Sequence, residues 1–325
     1  MSLAVLPSLV ALLAPVSVEA AAFPGLERPR AVGCAVLDGG LTLTSDAEGF
    51  GGFSGLALHG EEGIMVSDRG RRLTFRLLTD EDGVATGLAA TDLAPLRDAG
   101  DAPLGGGAAD IEEVVSLGTI YAVTGENENR VARLEGDRLT TSHPAAPADA
   151  GVLGRNSGFE AAALLRGGRL LLISEGTDAD GLALVRRGQL GDPLAAWSLG
   201  RYRPAPNFNV TAARADPATG DLFVLERAFS IFRGPRMRLA RVPAERLGDA
   251  VLAGRTLTRM GWREGIDNME GLEVVRRADG TLRFYLVSDD NFSGAQRTVL
   301  LSLALAPGCE DGNPAQPPAR GDAAP

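Results

Sequence analysis

The sequence predicts an all-β fold: a single β-propeller of four-stranded blades, its ring closed by the N-terminal strand joining the last blade. Three observations lead there. One short phrase recurs five times along the 325 residues, with an acidic or polar residue at the same two places in each copy. Each copy opens a series of short apolar runs separated by Gly, Asp or Asn, the punctuation of strands and hairpins. No long segment shows the 3.6-residue apolar period of a helix.

The first copy is Gly52-Phe53-Ser54-Gly55-Leu56 followed by Ile64-Met65-Val66-Ser67-Asp68. The second is Asp110-Ile111-Glu112-Glu113-Val114 followed by Tyr121-Ala122-Val123-Thr124-Gly125-Glu126, and the third Gly158-Phe159-Glu160-Ala161-Ala162 followed by Leu171-Leu172-Ile173-Ser174-Glu175. The fourth reads Asn207-Phe208-Asn209-Val210-Thr211 with Leu222-Phe223-Val224-Leu225-Glu226, and the fifth Asn268-Met269-Glu270-Gly271-Leu272 with Phe284-Tyr285-Leu286-Val287-Ser288-Asp289. Five copies predict five blades; the uneven spacing (58 residues from Ser54 to Glu112, 48 from Glu112 to Glu160) leaves room for a degenerate sixth.

Within the first repeat the strands fall at 53–59, 63–67, 72–78 and 85–93, and within the fourth at 207–214, 221–226, 237–242 and 255–259. Asp216-Pro217-Ala218-Thr219-Gly220 supplies the first turn of the fourth repeat, and Arg277-Ala278-Asp279-Gly280 that of the fifth. A run such as Leu170-Leu171-Leu172-Ile173 is apolar on both faces, as a strand sandwiched between neighbouring sheets must be. After 298–305 the chain turns at Pro307-Gly308, so the last repeat has only three strands of its own. The apolar segment 31–37 belongs to no repeat and is expected to complete that sheet, leaving no open edge. A Cys34–Cys309 disulfide would lock the seam; two unrelated buried thiols are the alternative.

Residues 2–18 are apolar, interrupted by Pro7 and Pro15, and lead into Glu19-Ala20-Ala21-Ala22. This reads as an export signal cut after Ala20 or Ala22, although no arginine precedes its apolar core. The expected division is a signal peptide at 1–22, a propeller at 23–307 and a disordered tail at 308–325, in a periplasmic or secreted monomer without a membrane span.

The residue types that are absent narrow the chemistry. There is no lysine, so all 32 basic residues are arginine, which excludes a Walker phosphate loop and a Schiff-base lysine. Genome composition by itself accounts for the preference for arginine over lysine. With only His59, expected to end a strand, and His143, expected in a loop, a multi-histidine zinc site is excluded within one chain. A net charge of −10 argues against a nucleic-acid partner. Ser54, Ser67, Ser157, Ser174, Ser288 and Ser293 include no Gly-x-Ser-x-Gly elbow, so a Ser-His triad is not expected.

In an antiparallel hairpin the start of one strand lies beside the end of the next. The repeat therefore sets Ser54 by Asp68, Glu112 by Glu126, Glu160 by Glu175, Asn209 by Glu226 and Glu270 by Asp289, gathering eight carboxylates at one mouth of the central channel. Two carboxylates about 7 Å apart repel by roughly 2 kcal/mol at an effective dielectric of about 20, so the cluster needs protons, arginines or a cation. Arg69, Arg130, Arg155 and Arg227 lie next to the acidic positions in sequence. Oxygen donors with the amides of Asn127, Asn129, Asn156, Asn268 and Asn291 nearby suit a hard cation such as Ca²⁺. Single acids at strand ends are ordinarily solvated caps; their fivefold recurrence is what argues for a site.

Gly-Gly-Phe-Ser-Gly-Leu with Ser-Asp-Arg-Gly, Asp-Ile-Glu-Glu, Gly-Phe-Glu with Ile-Ser-Glu-Gly, Leu-Glu-Arg-Ala-Phe at 225–229, and Asn-Met-Glu-Gly-Leu with Val-Ser-Asp-Asp-Asn-Phe over 268–292 together resemble the bacterial phytase-like proteins termed "esterase-like activity of phytase". The resemblance spans about 45–305 and implies an exported propeller whose recurrent acids perform phosphoester chemistry. The chain departs from a uniform repeat at Ser54 and Asn209, where the other copies have Glu.

The leading reading is a Ca²⁺-assisted phosphoesterase or esterase acting on a small ester. Glu112, Glu160, Glu270 and Asp289 would be catalytic, Arg69, Arg130, Arg227 and Asn209 would hold the substrate, and Asp68, Glu126, Glu175 and Glu226 would bind the metal. A non-catalytic propeller with a structural ion, and a lactonase-type hydrolase argued from fold alone, stay open beside it.

Overall fold

The computed structural model describes residues 16–309 apart from 25, 27, 127–128, 145–148, 150–151 and 154–157. The chain begins with β1 (Glu19–Ala22), β2 (Arg30–Val32) and β3 (Ala35–Thr44). Blade one follows as β4 (Phe53–His59), β5 (Glu62–Ser67), β6 (Arg71–Thr79) and β7 (Ala85–Pro95), and blade two as β8 (Ile111–Ser116), β9 (Tyr121–Gly125), β10 (Arg130–Glu135) and β11 (Arg138–Pro144). Blade three holds β12 (Phe159–Leu164), β13 (Leu170–Thr177), β14 (Ala183–Gly188) and β15 (Ser198–Arg203). Blade four holds β16 (Asn209–Ala215), β17 (Leu222–Ser230) and β18 (Gly234–Val242), then β20 (Arg255–Gly261) after the excursion β19 (Val251–Ala253). Blade five has β21 (Asn268–Arg276), β22 (Leu282–Asp289) and β23 (Thr298–Leu305), with β3 as its fourth strand.

This is the predicted five-bladed propeller. The first strand of each blade is the inner one: β4 packs on β8, β8 on β12, β12 on β16, β16 on β21, and β21 back on β4. Hydrophobic layers fill the spaces between blades, for instance Phe223 of blade four edge-on to Phe284 of blade five at 5.0 Å.

The ring closes as expected, with the closing strand starting four residues later than 31–37. Ala31 and Val32 lie in β2, which folds back on β3; the closing strand is Ala35–Thr44, antiparallel to β23 from Ala35–Leu305 to Leu43–Thr298. The turn between β2 and β3 puts Gly33 at φ +62°, with Leu257 O only 2.6 Å from where a Cβ would stand, so the turn needs glycine. Cys34 and Cys309 are bonded beside this seam, Cα atoms 5.5 Å apart and both buried. Glu19–Ala22, assigned to the leader, pairs with β3 as β1; cleavage after Ala22 would remove that added strand and leave the 41–44 half of β3 at the sheet edge, while β2 still covers 35–37. The rest of the expected leader (1–15) and nearly all the expected tail lie outside the described residues. His143 sits in β11 opposite Val131, not in a loop, while His59 ends β4 as expected.

One side chain of blade four reaches all the others. Arg214 donates to Leu56 O of blade one at 2.5 Å, Glu113 Oε1 of blade two at 3.0 Å and Ala162 O of blade three at 2.8 Å. It also bonds Val114 O and its own neighbour Ala213 O, and its Nε lies 3.5 Å from Glu273 Oε2 of blade five. Removing one partner from a buried ionic network costs about 3–5 kcal/mol. Arg214→Met is therefore expected to lower unfolding free energy by about that much, read from urea denaturation; a change under about 1 kcal/mol would show that the axis does not depend on it. Cys34→Ser with Cys309→Ser is expected to cost about 2–4 kcal/mol, read the same way.

Candidate functional site

The inner hairpin of every blade carries a one-residue bulge near the same end. The register slips at Ser54, Glu112, Glu160, Thr211 and Glu270. A bulge leaves its extra residue out of the ladder and re-aims its side chain. The residue before each bulge (Phe53, Ile111, Phe159, Val210, Met269) is fully buried, anchoring the strand while the next residue is freed. Facing strands deliver Asp68, Glu126, Glu175, Arg227 and Asp289 to the same level. Three of these are fixed by identical backbone bonds: Asp68 N–H to Gly52 O (3.1 Å), Glu126 N–H to Asp110 O (3.2 Å) and Glu175 N–H to Gly158 O (2.9 Å). Gly52 is at φ +63°, and a Cβ there would lie 2.4 Å from Asp68 Oδ1.

Together these groups line a cavity of about 360 Å³ with Ser54, Asp68, Asp110, Glu112, Glu126, Glu160, Glu175, Arg227, Glu270, Asp289 and Asn291. Eight are carboxylates and one is a guanidinium. Arg227 bridges Glu270 Oε1 at 2.9 Å and Glu175 Oε1 at 3.3 Å, and also donates to Asn268 Oδ1. Asn268 in turn donates to Glu270 Oε1 at 2.7 Å, and Asn209 Nδ2 to Glu175 Oε1 at 3.1 Å.

One arginine does not balance eight acids, and six of them are pushed above the ordinary carboxylate range. Burial pushes the Asp68 carboxyl up to about 7, reinforced by repulsion from Asp289. Burial also raises Glu126 to about 7, with Asp110 and Glu175 adding to it, and raises Asp289 to about 6. Glu270 reaches about 8 through burial, against the opposing pull of Arg227. Glu112 and Glu160 stand well above the carboxylate range because of burial, then repulsion from other rim acids. For Arg227, burial works against the charge, but Glu270 and Glu175 outweigh it and hold the guanidinium protonated.

A hard cation would replace those protons, and the donor set fits one. Asp110, Glu112 and Glu126 each offer an oxygen within 4.8 Å of the others, and so do Glu126, Glu160 and Glu175. Oxygens sharing a Ca²⁺ at about 2.3–2.6 Å stand no more than about 5 Å apart. Asp68 Oδ1 is buried with no hydrogen-bond partner among the described residues, another oxygen awaiting a positive neighbour.

The fourth repeat is where the structure corrects the sequence reading. Pairing places Val210 opposite Glu226 and Asn209 opposite Arg227, so Thr211 is the bulged residue and Arg227 the rim residue. Glu226 is not at the mouth. It is fully buried inside blade four, accepting from Tyr202 OH (2.6 Å), Ala205 N–H (3.0 Å) and Arg238 (2.5 Å), so both carboxylate oxygens are engaged away from the cavity. Asn209 stands one step back, on Glu175. Arg69 is exposed, its guanidinium 3.4 Å from the centre of the Phe292 ring, near Asp68 but not lining the cavity. Arg130 donates to Ala108 O at 2.6 Å and lies behind Asp110 instead of facing the cavity. Glu112, Glu160, Glu270, Asp289, Asp68, Glu126, Glu175 and Arg227 all meet there, and Asn268 and Asn291 stand with them. Asn127, Arg155, Asn156 and Ser157 fall outside the described residues. Sequence reasoning missed Asp110 as a rim acid; the signal was its position two residues before the bulge, where Asn209 and Asn268 are polar too. Ser174 and Ser288 tie adjacent strands, accepting from Leu184 N–H and Val299 N–H, and are not nucleophiles in waiting.

A family model described as "Phytase-like: Esterase-like activity of phytase" matches residues 48–292. No curated protein matches the sequence. Among solved structures, a glutaminyl cyclase from Myxococcus xanthus is similar at 12% identity and TM-score 0.41, over 89% of this chain and 97% of that one. A catalytically inactive virginiamycin B lyase from Staphylococcus aureus is similar at 10% identity and TM-score 0.41, over 88% and 98%. A glucose dehydrogenase is similar at 14% identity and TM-score 0.39, over 78% and 96%. Likeness at these scores carries no chemistry from those proteins to this one.

The raised acids set a pH dependence. Each binds its proton more tightly folded than unfolded, so stability is greatest below about pH 4.5, the ordinary glutamate range, and falls as pH rises through about 6 to 8. In chelator, the melting temperature is expected to drop between pH 5 and pH 8. Added Ca²⁺ should restore it at pH 8 and change little at pH 5; equal stabilisation at both would contradict proton–cation exchange.

Proposed function

This chain belongs to the phytase-like family termed "esterase-like activity of phytase", and from that premise we propose that it is a Ca²⁺-assisted phosphoester hydrolase acting on a small ester at the mouth of its channel. The observation that carries this is the division of the rim. Blades two and three bring five acids, Asp110, Glu112, Glu126, Glu160 and Glu175, into two overlapping oxygen triads that share Glu126. Blade five brings Glu270 and Asp289, and Arg227 of blade four stands between the two groups.

On this reading the triads hold the cation, so Glu112 and Glu160 join Glu126 and Glu175 as ligands. Bound there, Ca²⁺ would neutralise the acids and polarise a phosphoryl oxygen. Arg227, held protonated and facing the cavity, orients the phosphate. Asp289, ionised above about pH 6, accepts a proton from the attacking water at a carboxylate oxygen. Glu270, pushed up by burial against the pull of Arg227, is the acid that would carry a proton to the leaving oxygen. The polar lining, with Asn291 and Ser54 besides the acids, suits a hydrophilic ester. The Cys34–Cys309 bond fits an oxidising compartment, and export to the periplasm or beyond is part of the proposal. Among the described residues no helix is long and apolar enough to cross a membrane.

The experiment is turnover of phosphomonoesters and phosphodiesters by the pure protein with Ca²⁺ and with chelator. Activity should require the cation, and Glu270→Gln should lower kcat by about 10²-fold or more while leaving Ca²⁺ affinity nearly unchanged. Glu160→Gln should weaken Ca²⁺ binding and lower thermal stability in Ca²⁺. Stabilisation by Ca²⁺ without turnover of any ester would instead establish a binding propeller with a structural ion.

A further inference from the structure

Blade four differs from the others on the mouth side. Its β17–β18 hairpin continues past Arg227 at the rim, pairing out to Ser230–Gly234 with Ile231, Phe232 and Arg233 at the tip. The apolar residues there are left in water: Phe229 is 71% exposed, Ile231 83%, Phe232 91%, and nearby Trp262 65%. Singly exposed apolar residues are ordinary, but a contiguous aromatic tip marks a surface meant to be covered.

The charge around this tip is opposite to that of the whole chain. Behind Phe232 and Trp262 runs a groove of about 550 Å³ lined also by Arg233, Arg236, Arg259 and Arg263. Arg236 and Arg259 flank the Phe208 ring at 5.4 and 5.8 Å. Glu264 is the one acid there, and its carboxylate already accepts from Gly261 N–H at 2.8 Å. A chain of net charge −10 thus gathers four arginines under one apolar projection.

We propose that this hairpin tip and its arginines form a docking surface for an anionic phospholipid bilayer. Phe229, Ile231, Phe232 and Trp262 would enter the interfacial layer, while the arginines meet the phosphates just above it. Shape and charge favour lipid over other occupants. The apolar side chains stand out into water, which suits insertion into a bilayer better than enclosure of a small ligand in the groove behind them, and an isologous contact between two copies would set arginines against arginines. Docking would turn the acidic mouth, which lies on the same side of the ring, toward the lipid surface. The inference stands whether or not the cavity hydrolyses esters.

The test is cosedimentation of the full chain with vesicles of phosphatidylglycerol and phosphatidylcholine, against phosphatidylcholine alone. Chelator is present throughout, so that no Ca²⁺ bridge from the cavity contributes. Trp197 is already buried, so a blue shift in emission reports insertion of Trp262. Binding should require the anionic lipid, weaken with added salt and shift the emission. Ile231→Asp with Phe232→Asp should abolish the shift, and Arg233→Glu with Arg263→Glu should weaken partition by about tenfold or more. All four positions are exposed, so both variants should keep the parent melting temperature. Absence of partition, equal partition into neutral vesicles, or binding unaffected by both variants would overturn the proposal. So would a dimer, seen by sedimentation velocity and broken by Phe232→Asp, in a protein that ignores vesicles.

Discussion

A propeller axis is a place where five strands approach each other with backbone groups that water cannot reach. Buried carbonyls left unbonded are costly, and neighbouring blades do not hydrogen-bond to each other as strands do. Arg214 meets this constraint. Its planar guanidinium offers five donors, and it places them on Leu56 O, Val114 O, Ala162 O and Ala213 O as well as on Glu113. The charge brought inside is answered by Glu113 and Glu273, themselves fixed by backbone N–H groups: Val114 on Glu113, Leu58 and Val274 on Glu273. Because Glu273 of blade five binds Leu58 of blade one, the network also spans the closing joint of the ring. The relative positions of the inner strands, and therefore of their bulges, follow from this one cluster.

The mouth inherits that geometry and adds a deficit of positive charge. The axis itself carries two carboxylates for one arginine. Part of the compensation at the rim comes from Arg227, and part from protons on the acids. Burial and mutual repulsion act in the same direction here, which is why the values climb despite Arg227.

Much of this was legible in the sequence because the repeat expresses a physical requirement. An apolar anchor followed by a residue turned into the channel must recur in every blade, and in four blades it does so visibly. The fourth copy misled because Phe208 and Asn209 imitate the anchor and the polar residue that follows it. Phe208 instead packs with Ala205 and Ala228 outside the ladder, and the true anchor is Val210. Glu226 imitates a rim acid just as well, although the blade interior holds it against Tyr202 and Arg238. A bulge is a property of the pairing register between strands, and residue types along one strand do not specify it. The same limit hid β2, β19 and the length of the β17–β18 hairpin, whose outer turn continues where the sheet no longer needs apolar residues. The closing strand was placed four residues early because Ala31 and Val32 are as apolar as the strand that follows them.

The miss in blade four also identifies what makes the rim asymmetric. Five equivalent acids around an axis would repel equally and give a ring with no preferred side. Replacing one by Arg227 draws Glu175 and Glu270 toward a common cation from opposite directions. The acids of blades two and three, Glu175 included, form the two oxygen triads. Blades five and one keep Asp289 and Asp68 on the other flank, where burial, and after it repulsion from Asp289, raises Asp68. A single change of sign in a repeated position thus divides the rim between two oxygen triads and the acids gathered around Arg227, and the proposed hydrolysis rests on that division.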